Sequence, residues 1–321
     1  MGPPRSGTSL ISRIVGSHPA IAVPYESHFY NTFAPWIRHY GDLGERRNRE
    51  RLLRDALQTA MIRDWRPRVD RHAAMARIES NGRFDLHGVF AGIMETWCAA
   101  QGKRRWGEKT PAHVFFADRI LEGFSHARFI CIVRDGRDAA LSWMRAQFGP
   151  MHVYPAATRW VAFLAAARKL RDRLGATRFL QVRYEDLVDS PEAITRQVCR
   201  FVGEDYVGEM LAFHRSEGRY PTDAQNEENL ARPVLENNTG KWQRALSSRE
   251  LRIFEAVAGR ELQANGYPRA MPHAAMTRAE RLRCAYLEHP PRKLLGMARN
   301  FRGQLDGLIR VLLYLRLRAG L

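Results

Sequence analysis

The sequence predicts an α/β fold: a P-loop-like parallel sheet flanked by helices, with helical insertions and a helical C-terminal extension. Three observations lead to this prediction. The chain opens with a glycine-bearing loop that runs into an apolar pattern of helical spacing. Two short apolar runs, 127–133 and 178–182, have the β-branched and aromatic character of buried parallel strands. Helical patterns alternate with these strands, which is typical of parallel α/β layers.

The first nine residues have the spacing of a phosphate-binding loop. Gly2 and Gly7 are separated by four residues, but Thr8 stands where such loops carry Lys. The glycines let several backbone N–H groups converge on one oxyanion, and a helix predicted at 7–17 adds the positive end of its dipole. Arg5 and the hydroxyls after Gly7 supply further donors. The buried strand that normally precedes such a loop is missing, and a missing N-terminal stretch is the favoured explanation.

Two polar positions come next along the chain. A short extended piece, 21–24, leads to Glu26, on the side of a strand where a doubly wound sheet binds its ligands. Glu26 is therefore either a general base or a capping or surface carboxylate. The polar turn 106–111 contains Lys109, which is either an active-site cation or a solvated loop residue. Further helices are predicted at 43–64, 85–101, 156–174, 248–264 and from about 276.

The run 127–133 ends in a basic turn that forms a second candidate anion site. Arg134 stands at the carboxyl end of this predicted strand, and a helix carrying Ser142 follows. The next strand, 178–182, leads into Tyr184, which either borders a ligand or belongs to the core.

The polar segment 214–240 is predicted to be a long loop. It ends in a cation and an indole, Lys241 and Trp242. A long polar loop with such an end can act as a lid over a ligand.

The chain is strongly basic. Its 321 residues carry a formal net charge of +17, which favours anionic partners such as a nucleotide, an acidic acceptor or an anionic membrane. The charge is spread over the chain, so an Arg-rich composition alone is the alternative, and no nucleic-acid partner is predicted. The last stretch, 308–318, mixes apolar residues with arginines. It either contacts an anionic membrane peripherally, or packs on the domain or on a second subunit.

The cysteines indicate a reduced compartment. The four of them are far apart and show neither metal-ligand spacing nor a disulfide framework. No signal peptide or membrane-spanning run is visible in the sequence. We expect a cytoplasmic location, with peripheral membrane contact as the open alternative.

Taken together, these motifs resemble those of the sulfotransferases that use 3′-phosphoadenosine-5′-phosphosulfate (PAPS). The opening segment resembles the family's 5′-phosphosulfate loop, and the resemblance implies that the donor is bound by Arg5, Ser6, Gly7, Thr8 and Ser9. The strand and turn 129–137, with Ser142 eight residues after Arg134, resemble the 3′-phosphate site. Tyr184 then corresponds to a position beside the adenine, and Lys241 to the basic residue of a segment that closes over the nucleotide.

Within that family the sequence is most similar to the tyrosylprotein sulfotransferases and their bacterial relatives. There the catalytic Glu follows the loop Arg by 21 residues, as Glu26 follows Arg5. The Lys near the transferring sulfuryl group corresponds to Lys109. The resemblance covers residues 1–267, so the predicted domains are a sulfotransferase domain, 1–270, and a helical basic extension, 271–321.

The resemblance implies sulfuryl transfer from PAPS to an acceptor hydroxyl on a peptide tyrosine, a carbohydrate or a lipid. Arg5 and Lys109 would stabilise charge on the leaving phosphate, and Glu26 would take the proton of the acceptor. No metal is required for this chemistry. Two other hypotheses stay open: the protein is a P-loop small-molecule kinase, or it is a non-catalytic, membrane-associated anion-binding protein.

Overall fold

A computed structural model describes residues 1–146, 149–215, 230–235, 238–299 and 301–318. The strands are β1 (Ile21–Ala22), β2 (Arg105–Trp106), β3 (Phe129–Val133) and β4 (Phe179–Arg183). The α-helices are α1 (Thr8–Gly16), α2 (Phe29–Phe33), α3 (Arg46–Gln58), α4 (Ala60–Arg63), α5 (Arg71–Asn81), α6 (Leu86–Ala100), α7 (Ala117–Gly123), α8 (Gly136–Arg145), α9 (Val153–Leu174), α10 (Tyr184–Asp189), α11 (Pro191–Val202), α12 (Trp242–Ala245), α13 (Ser248–Ala264), α14 (Arg278–Leu282), α15 (His289–Arg299) and α16 (Phe301–Arg318). A π-helical turn, Arg283–Glu288, joins α14 to α15.

The chain divides into two compact units, each made of three segments. Unit 1 consists of Met1–Thr8, Phe129–Ile194 and Leu235–Leu305, and unit 2 of Ser9–Arg128, Thr195–Val234 and Asp306–Leu321. None of these divisions falls at residue 270. There the Glu255 carboxylate accepts hydrogen bonds from the backbone N–H groups of Ala270 (2.9 Å) and Met271 (2.8 Å), which tie the chain to α13. The division into 1–270 and 271–321 stays a prediction.

The sheet of unit 1 is built on β3. β3 and β4 pair in parallel along all five residues, and the apolar, mostly buried side chains of β3 fit the centre of a sheet. At the other edge of β3, the Met1 amino group donates to the Ile130 carbonyl (2.7 Å), and the Ile132 N–H donates to the Met1 carbonyl (3.0 Å). Gly2 follows close to this strand, where a Cβ would lie 2.2 Å from the Ile132 carbonyl oxygen. The opening loop thus starts where a strand next to β3 would lie.

Helices α8, α9 and α13 pack closely in unit 1. A Cβ at Gly136, the first residue of α8, would lie 2.6 Å from the Trp160 ring and 2.7 Å from the Phe254 ring. The absence of a side chain at Gly136 therefore permits this approach. Arg137, the next residue of α8, is buried, and its guanidinium donates to the Glu255 carboxylate at 2.7 Å. A buried cation paired in this way fixes how α8 meets α13.

Unit 2 is mainly helical around a small sheet. β1 and β2 pair in parallel over only two residues, Ile21 opposite Arg105 and Ala22 opposite Trp106. Its core is an aromatic and aliphatic cluster drawn largely from α2, α3, α5 and α6, including Phe29, Tyr30, Phe33, Leu52, Ile78, Phe90, Ile93 and Trp97. Side chains accept hydrogen bonds at the N-termini of α5 and α6, where Asp70 and Asp85 cap the helices.

The structure confirms the predicted α/β class with parallel strand pairing, but the strands form two two-stranded sheets. Predicted helices correspond closely to α1, α6, α9 and α13, while the 43–64 pattern is divided into α3 and α4 by the extended backbone of Thr59. Of the predicted loop 214–240, residues 216–229 and 236–237 lie outside the described part of the chain. Among the described residues, no helix is long and apolar enough to cross a bilayer.

Candidate active site

The opening loop of unit 1 is a tight turn with donors inside it. Arg5 and Gly7 have positive φ angles of 67° and 91°, and the Ser6 N–H donates to the Pro3 carbonyl at 3.2 Å. Ser6 is fully buried, and its Oγ has no hydrogen-bond partner within the described chain. Helix α1 begins at Thr8, so its first N–H groups face this turn without partners inside the helix. The turn is thus able to hold an oxyanion.

Two side chains assigned from sequence to opposite ends of the donor meet in unit 1. The Arg5 Nε donates to the Ser142 Oγ at 3.0 Å. Ser142 lies on α8, which follows β3, so this bond links the opening loop to the strand–turn–helix segment.

Arg134 is buried beside the loop in the same unit. Its guanidinium donates to the Arg5 carbonyl (3.3 Å) and to the Asn238 carbonyl (2.5 Å), and lies 4.4 Å from the centroid of the Tyr184 ring. Its Nε is buried and has no partner within the described chain. Arg134 therefore keeps one donor for a ligand while two carbonyl groups hold its orientation.

Tyr184, the first residue of α10, is buried under the loop. A Cβ at Gly7 would lie only 2.5 Å from its ring, so the loop can approach only with glycine at that position. Its hydroxyl accepts a hydrogen bond from Asn238 Nδ2 at 2.7 Å, and burial raises the pKa of this hydroxyl. The Tyr184 ring thus packs against the loop, as expected if Tyr184 belongs to the core. That Tyr184 lies beside the adenine stays a prediction.

The segment 238–242 is anchored to α8 by one carboxylate. Asp138 accepts hydrogen bonds from the backbone N–H groups of Gly240 (2.7 Å) and Trp242 (2.8 Å). The Arg137 guanidinium lies 3.7 Å from the centroid of the Trp242 ring. Lys241, the predicted basic residue, is exposed. Sequence reasoning missed the anchoring role of Asp138, which has no local sequence signal.

In unit 2, Lys109 and Glu26 form a buried ion pair. The Lys109 Nζ donates to a Glu26 carboxylate oxygen at 2.5 Å and to the Ser9 hydroxyl at 3.2 Å. The other Glu26 oxygen pairs with His28 Nε2 at 2.9 Å. Ser9 is the residue directly after Thr8 in α1, so Lys109 bonds both the predicted base and a hydroxyl that was predicted to bind the donor. We call Ser9, Glu26, His28 and Lys109 the Glu26 cluster.

The environment of Glu26 keeps its carboxylate charged. Burial raises its pKa, but the charge of Lys109 and the hydrogen bond from His28 outweigh burial and lower the pKa to about 2. A carboxylate of this kind is ionised at neutral pH and is able to accept a proton.

A second carboxylate, Glu108, lies in a knot of hydrogen bonds in the same unit. It accepts from the Ser27 hydroxyl (2.7 Å), the Thr110 hydroxyl (2.6 Å) and His113 Nδ1 (2.7 Å). The backbone N–H groups of Ser27 and Thr110 complete its partners. We call these four residues the Glu108 knot. It joins the chain after β1 to the turn that carries Lys109, and sequence reasoning missed it because its partners are up to 81 residues apart in sequence.

The described residues include one group with metal-ligand atoms, His152, Cys284 and Glu288 in unit 1. The Glu288 carboxylate already accepts hydrogen bonds from both terminal guanidinium nitrogens of Arg249, at 3.1 and 2.7 Å. It also pairs with His152 Nε2 at 3.0 Å. His152 Nδ1 accepts the Tyr154 N–H at 3.1 Å, so the ring proton is on Nε2, where a metal would have to bind. These hydrogen bonds disfavour a cation at this position.

Comparison with known proteins supplies the family. The protein-family model described as "Sulfotransferase family" matches residues 1–207. The nodulation protein NoeE of Sinorhizobium fredii is 23% identical in an alignment of 298 positions that covers 85% of this chain and 66% of that protein. The chain thus spans a little under two thirds of the length of this relative.

Two solved structures share the fold. The sulfotransferase domain of the Synechococcus PCC 7002 olefin synthase has a TM-score of 0.56 at 22% identity, covering 80% of this chain and 92% of that one. The sulfotransferase domain from the curacin biosynthetic pathway has a TM-score of 0.55 at 18% identity, covering 83% and 96%. Since the family model matches more than half of the sequence, the chain belongs to the sulfotransferase family.

Proposed function

We propose that this chain transfers the sulfuryl group of PAPS to an acceptor hydroxyl. The observation that carries the proposal is the double contact of Lys109, whose ammonium group bonds both the Glu26 carboxylate and the Ser9 hydroxyl of the opening loop. Sulfuryl transfer needs a cation for the leaving phosphate and a base for the acceptor proton. Lys109 and Glu26 supply these two groups in direct contact.

The donor groups of unit 1 fit a ligand with two anionic ends. Arg5 and Arg134 supply positive charge on either side of the loop. The buried Ser6 Oγ and Arg134 Nε have no partners within the described chain, and a buried donor without a partner is costly unless a ligand satisfies it. The 5′-phosphosulfate and 3′-phosphate of PAPS would satisfy these donors.

In the proposed reaction the acceptor oxygen forms a bond to sulfur while the bond from sulfur to the bridging phosphate oxygen breaks. Glu26 takes the proton of the acceptor, and Lys109 and Arg5 stabilise the charge left on the phosphate. A carboxylate with a pKa of about 2 is a weak base while Lys109 is bonded to it. When Lys109 turns its charge to the leaving phosphate, Glu26 loses its strongest stabilising partner and becomes more basic.

The acceptor is a hydroxyl of a peptide tyrosine, a carbohydrate or a lipid. The likeness to tyrosylprotein sulfotransferases rests on the interval of 21 residues between Arg5 and Glu26. That subdivision, like the acceptor class, stays a prediction. The kinase alternative gains no support, because Asp135 at the end of β3 is held by Arg137 at 2.7 Å and Thr8 replaces the Lys that reaches a triphosphate.

The test is transfer of label from PAPS carrying a radioactive sulfuryl group to three separate pools: tyrosine peptides, oligosaccharides and lipids. We expect label in one pool, dependent on the protein and undiminished by EDTA. ATP with Mg²⁺ and labelled γ-phosphate serves as the control and should label none. Transfer from ATP, or no transfer from PAPS into any pool while the protein is folded, would overturn the proposal.

A further inference from the structure

Exposed large apolar side chains are concentrated near the C-terminal end of the described chain. Of the eleven in the described residues, five between Leu282 and Leu295 belong to unit 1, four between Leu308 and Leu315 belong to unit 2, and the other two are Phe84 and Phe115. Exposed apolar side chains that are scattered singly need no explanation, whereas a concentration of them marks an interaction surface.

Helix α16 carries four of these side chains on one face. Leu308, Val311, Leu312 and Leu315 are 54%, 51%, 56% and 51% exposed. Their spacing is i, i+3, i+4 and i+7, which places them in one stripe along an α-helix. We call these four residues the α16 stripe.

Other residues of α16 fix the orientation of this stripe. Leu313 packs on the apolar core of unit 2, and the Tyr314 ring lies 3.8 Å from that of Trp36. The Arg316 guanidinium donates to the buried carboxylate of Asp55 at 2.6 Å. Measured from the centre of the stripe, Leu313 lies about 150° and Tyr314 about 110° around the helix. The sequence left packing and membrane contact as alternatives, and α16 has a separate face for each.

The charge of α16 indicates what binds the α16 stripe. α16 contains four Arg and one Asp. A basic helix with an exposed apolar stripe matches an anionic bilayer surface, where the stripe enters the acyl boundary and the positive charge of the helix favours anionic lipid. A second copy of the chain would instead bring two basic surfaces together, each on a protein of net charge +17. We propose that α16 binds the protein to an anionic membrane through the α16 stripe.

Co-sedimentation with vesicles tests this surface in the full chain. We expect binding to vesicles of phosphatidylglycerol and phosphatidylcholine, little binding to phosphatidylcholine alone, and weaker binding as salt is raised. The variant L308Q/L312Q/L315Q should bind anionic vesicles on the order of 10²-fold more weakly, because three half-exposed leucines no longer enter the bilayer. The matched control is F84Q, which removes an exposed apolar side chain elsewhere and should bind like the unmodified protein.

A second readout does not depend on the fold of the triple variant. The four native cysteines are buried, so a single Leu312→Cys substitution can be labelled selectively with a polarity-sensitive dye. We expect a blue shift of its emission on anionic vesicles and none for the same dye at Phe84→Cys. Sedimentation velocity gives the state of association without lipid.

Absence of binding to anionic vesicles would overturn the proposal, as would unchanged binding by the triple variant or an unshifted dye at position 312. A dimer without lipid that the triple variant dissociates, with no vesicle binding, would assign the stripe to a second copy instead. Sulfuryl transfer to a water-soluble acceptor is measured separately, so failure of the membrane proposal leaves the proposed function standing, and the reverse also holds.

Discussion

Glu26 and Glu108 are two inward-facing carboxylates of unit 2 whose partners differ in kind. The partners of Glu108 are hydroxyls, backbone N–H groups and one imidazole, all on the two segments that it joins. The partners of Glu26 are groups at the ends of two side chains, the Lys109 ammonium and the His28 ring. Both carboxyls have a pKa below the usual range, so charge state alone does not distinguish them.

The two carboxylates differ in whether a hydrogen-bond partner can leave without moving the backbone. Moving a backbone N–H away from Glu108 would require the chain after β1 to separate from the turn before Lys109. Lys109 can change partners by rotating its own side chain. We therefore assign the chemistry to the Glu26 cluster and a supporting role to the Glu108 knot, and four experiments test this assignment.

The largest expected effect is that of Glu26→Gln on turnover. Gln keeps the size and part of the hydrogen bonding but has no basic oxygen, so we expect turnover to fall by roughly 10²–10⁴. Affinity for adenosine 3′,5′-bisphosphate, measured by calorimetry, should change little because Glu26 would contact the acceptor. Loss of nucleotide binding in this variant would mean that Glu26 orders the loop instead.

Lys109→Met should reduce turnover by roughly 10²–10³, because the cation beside the leaving phosphate is lost while the apolar stem is kept. Lys103→Met is the matched control. Lys103 is a second lysine of unit 2, and it donates to the carbonyl groups of Gly16 (2.6 Å) and Ile21 (2.9 Å). It should lower the melting temperature and leave turnover per folded molecule unchanged. Equal losses of turnover in both variants would remove the assignment of Lys109.

Glu108→Gln should act on stability. One carboxylate oxygen becomes an NH₂ group that faces donors, which costs about 2–4 kcal/mol at a buried hydrogen-bonded site. For a chain of 321 residues we expect a fall in melting temperature of roughly 3–6 °C. A variant with an unchanged melting temperature and lost activity would place Glu108 in the chemistry.

The smallest effect is on the pH dependence of stability. The folded-state pKa of Glu26 is lowered from 4.5 to about 2, so its contribution is present above pH 4.5 and is lost as the pH falls towards 2. The whole contribution is on the order of 3 kcal/mol, of which about 1 kcal/mol is lost by about pH 3.5. Urea unfolding of the unmodified protein and of Glu26→Gln between about pH 6 and 3.5 should give stability curves that converge on the acid side. Parallel curves would contradict the lowered pKa.

Local patterns predicted most of the helices and the two longer strands, because apolar periodicity and strand composition are local properties. The family resemblance gave Glu26 and Lys109 catalytic roles, but it did not predict that they pair directly, and 83 residues separate them in sequence. The Glu108 knot and the anchoring of segment 238–242 by Asp138 were missed for the same reason: each joins short polar stretches that are ordinary turns when taken alone. The two-residue strands β1 and β2 are too short for any alternation to be visible.

The most direct test of the central claim is a single-turnover measurement of labelled sulfuryl transfer from PAPS at saturating donor and acceptor. The unmodified protein, Glu26→Gln and Glu108→Gln are compared at a temperature where all three are folded, with rates divided by the folded fraction. We expect Glu108→Gln to transfer within a few-fold of the unmodified rate and Glu26→Gln to be slower by roughly 10²–10⁴. A normal rate in Glu26→Gln, or a comparable loss in Glu108→Gln, would contradict the assignment of the general base to Glu26.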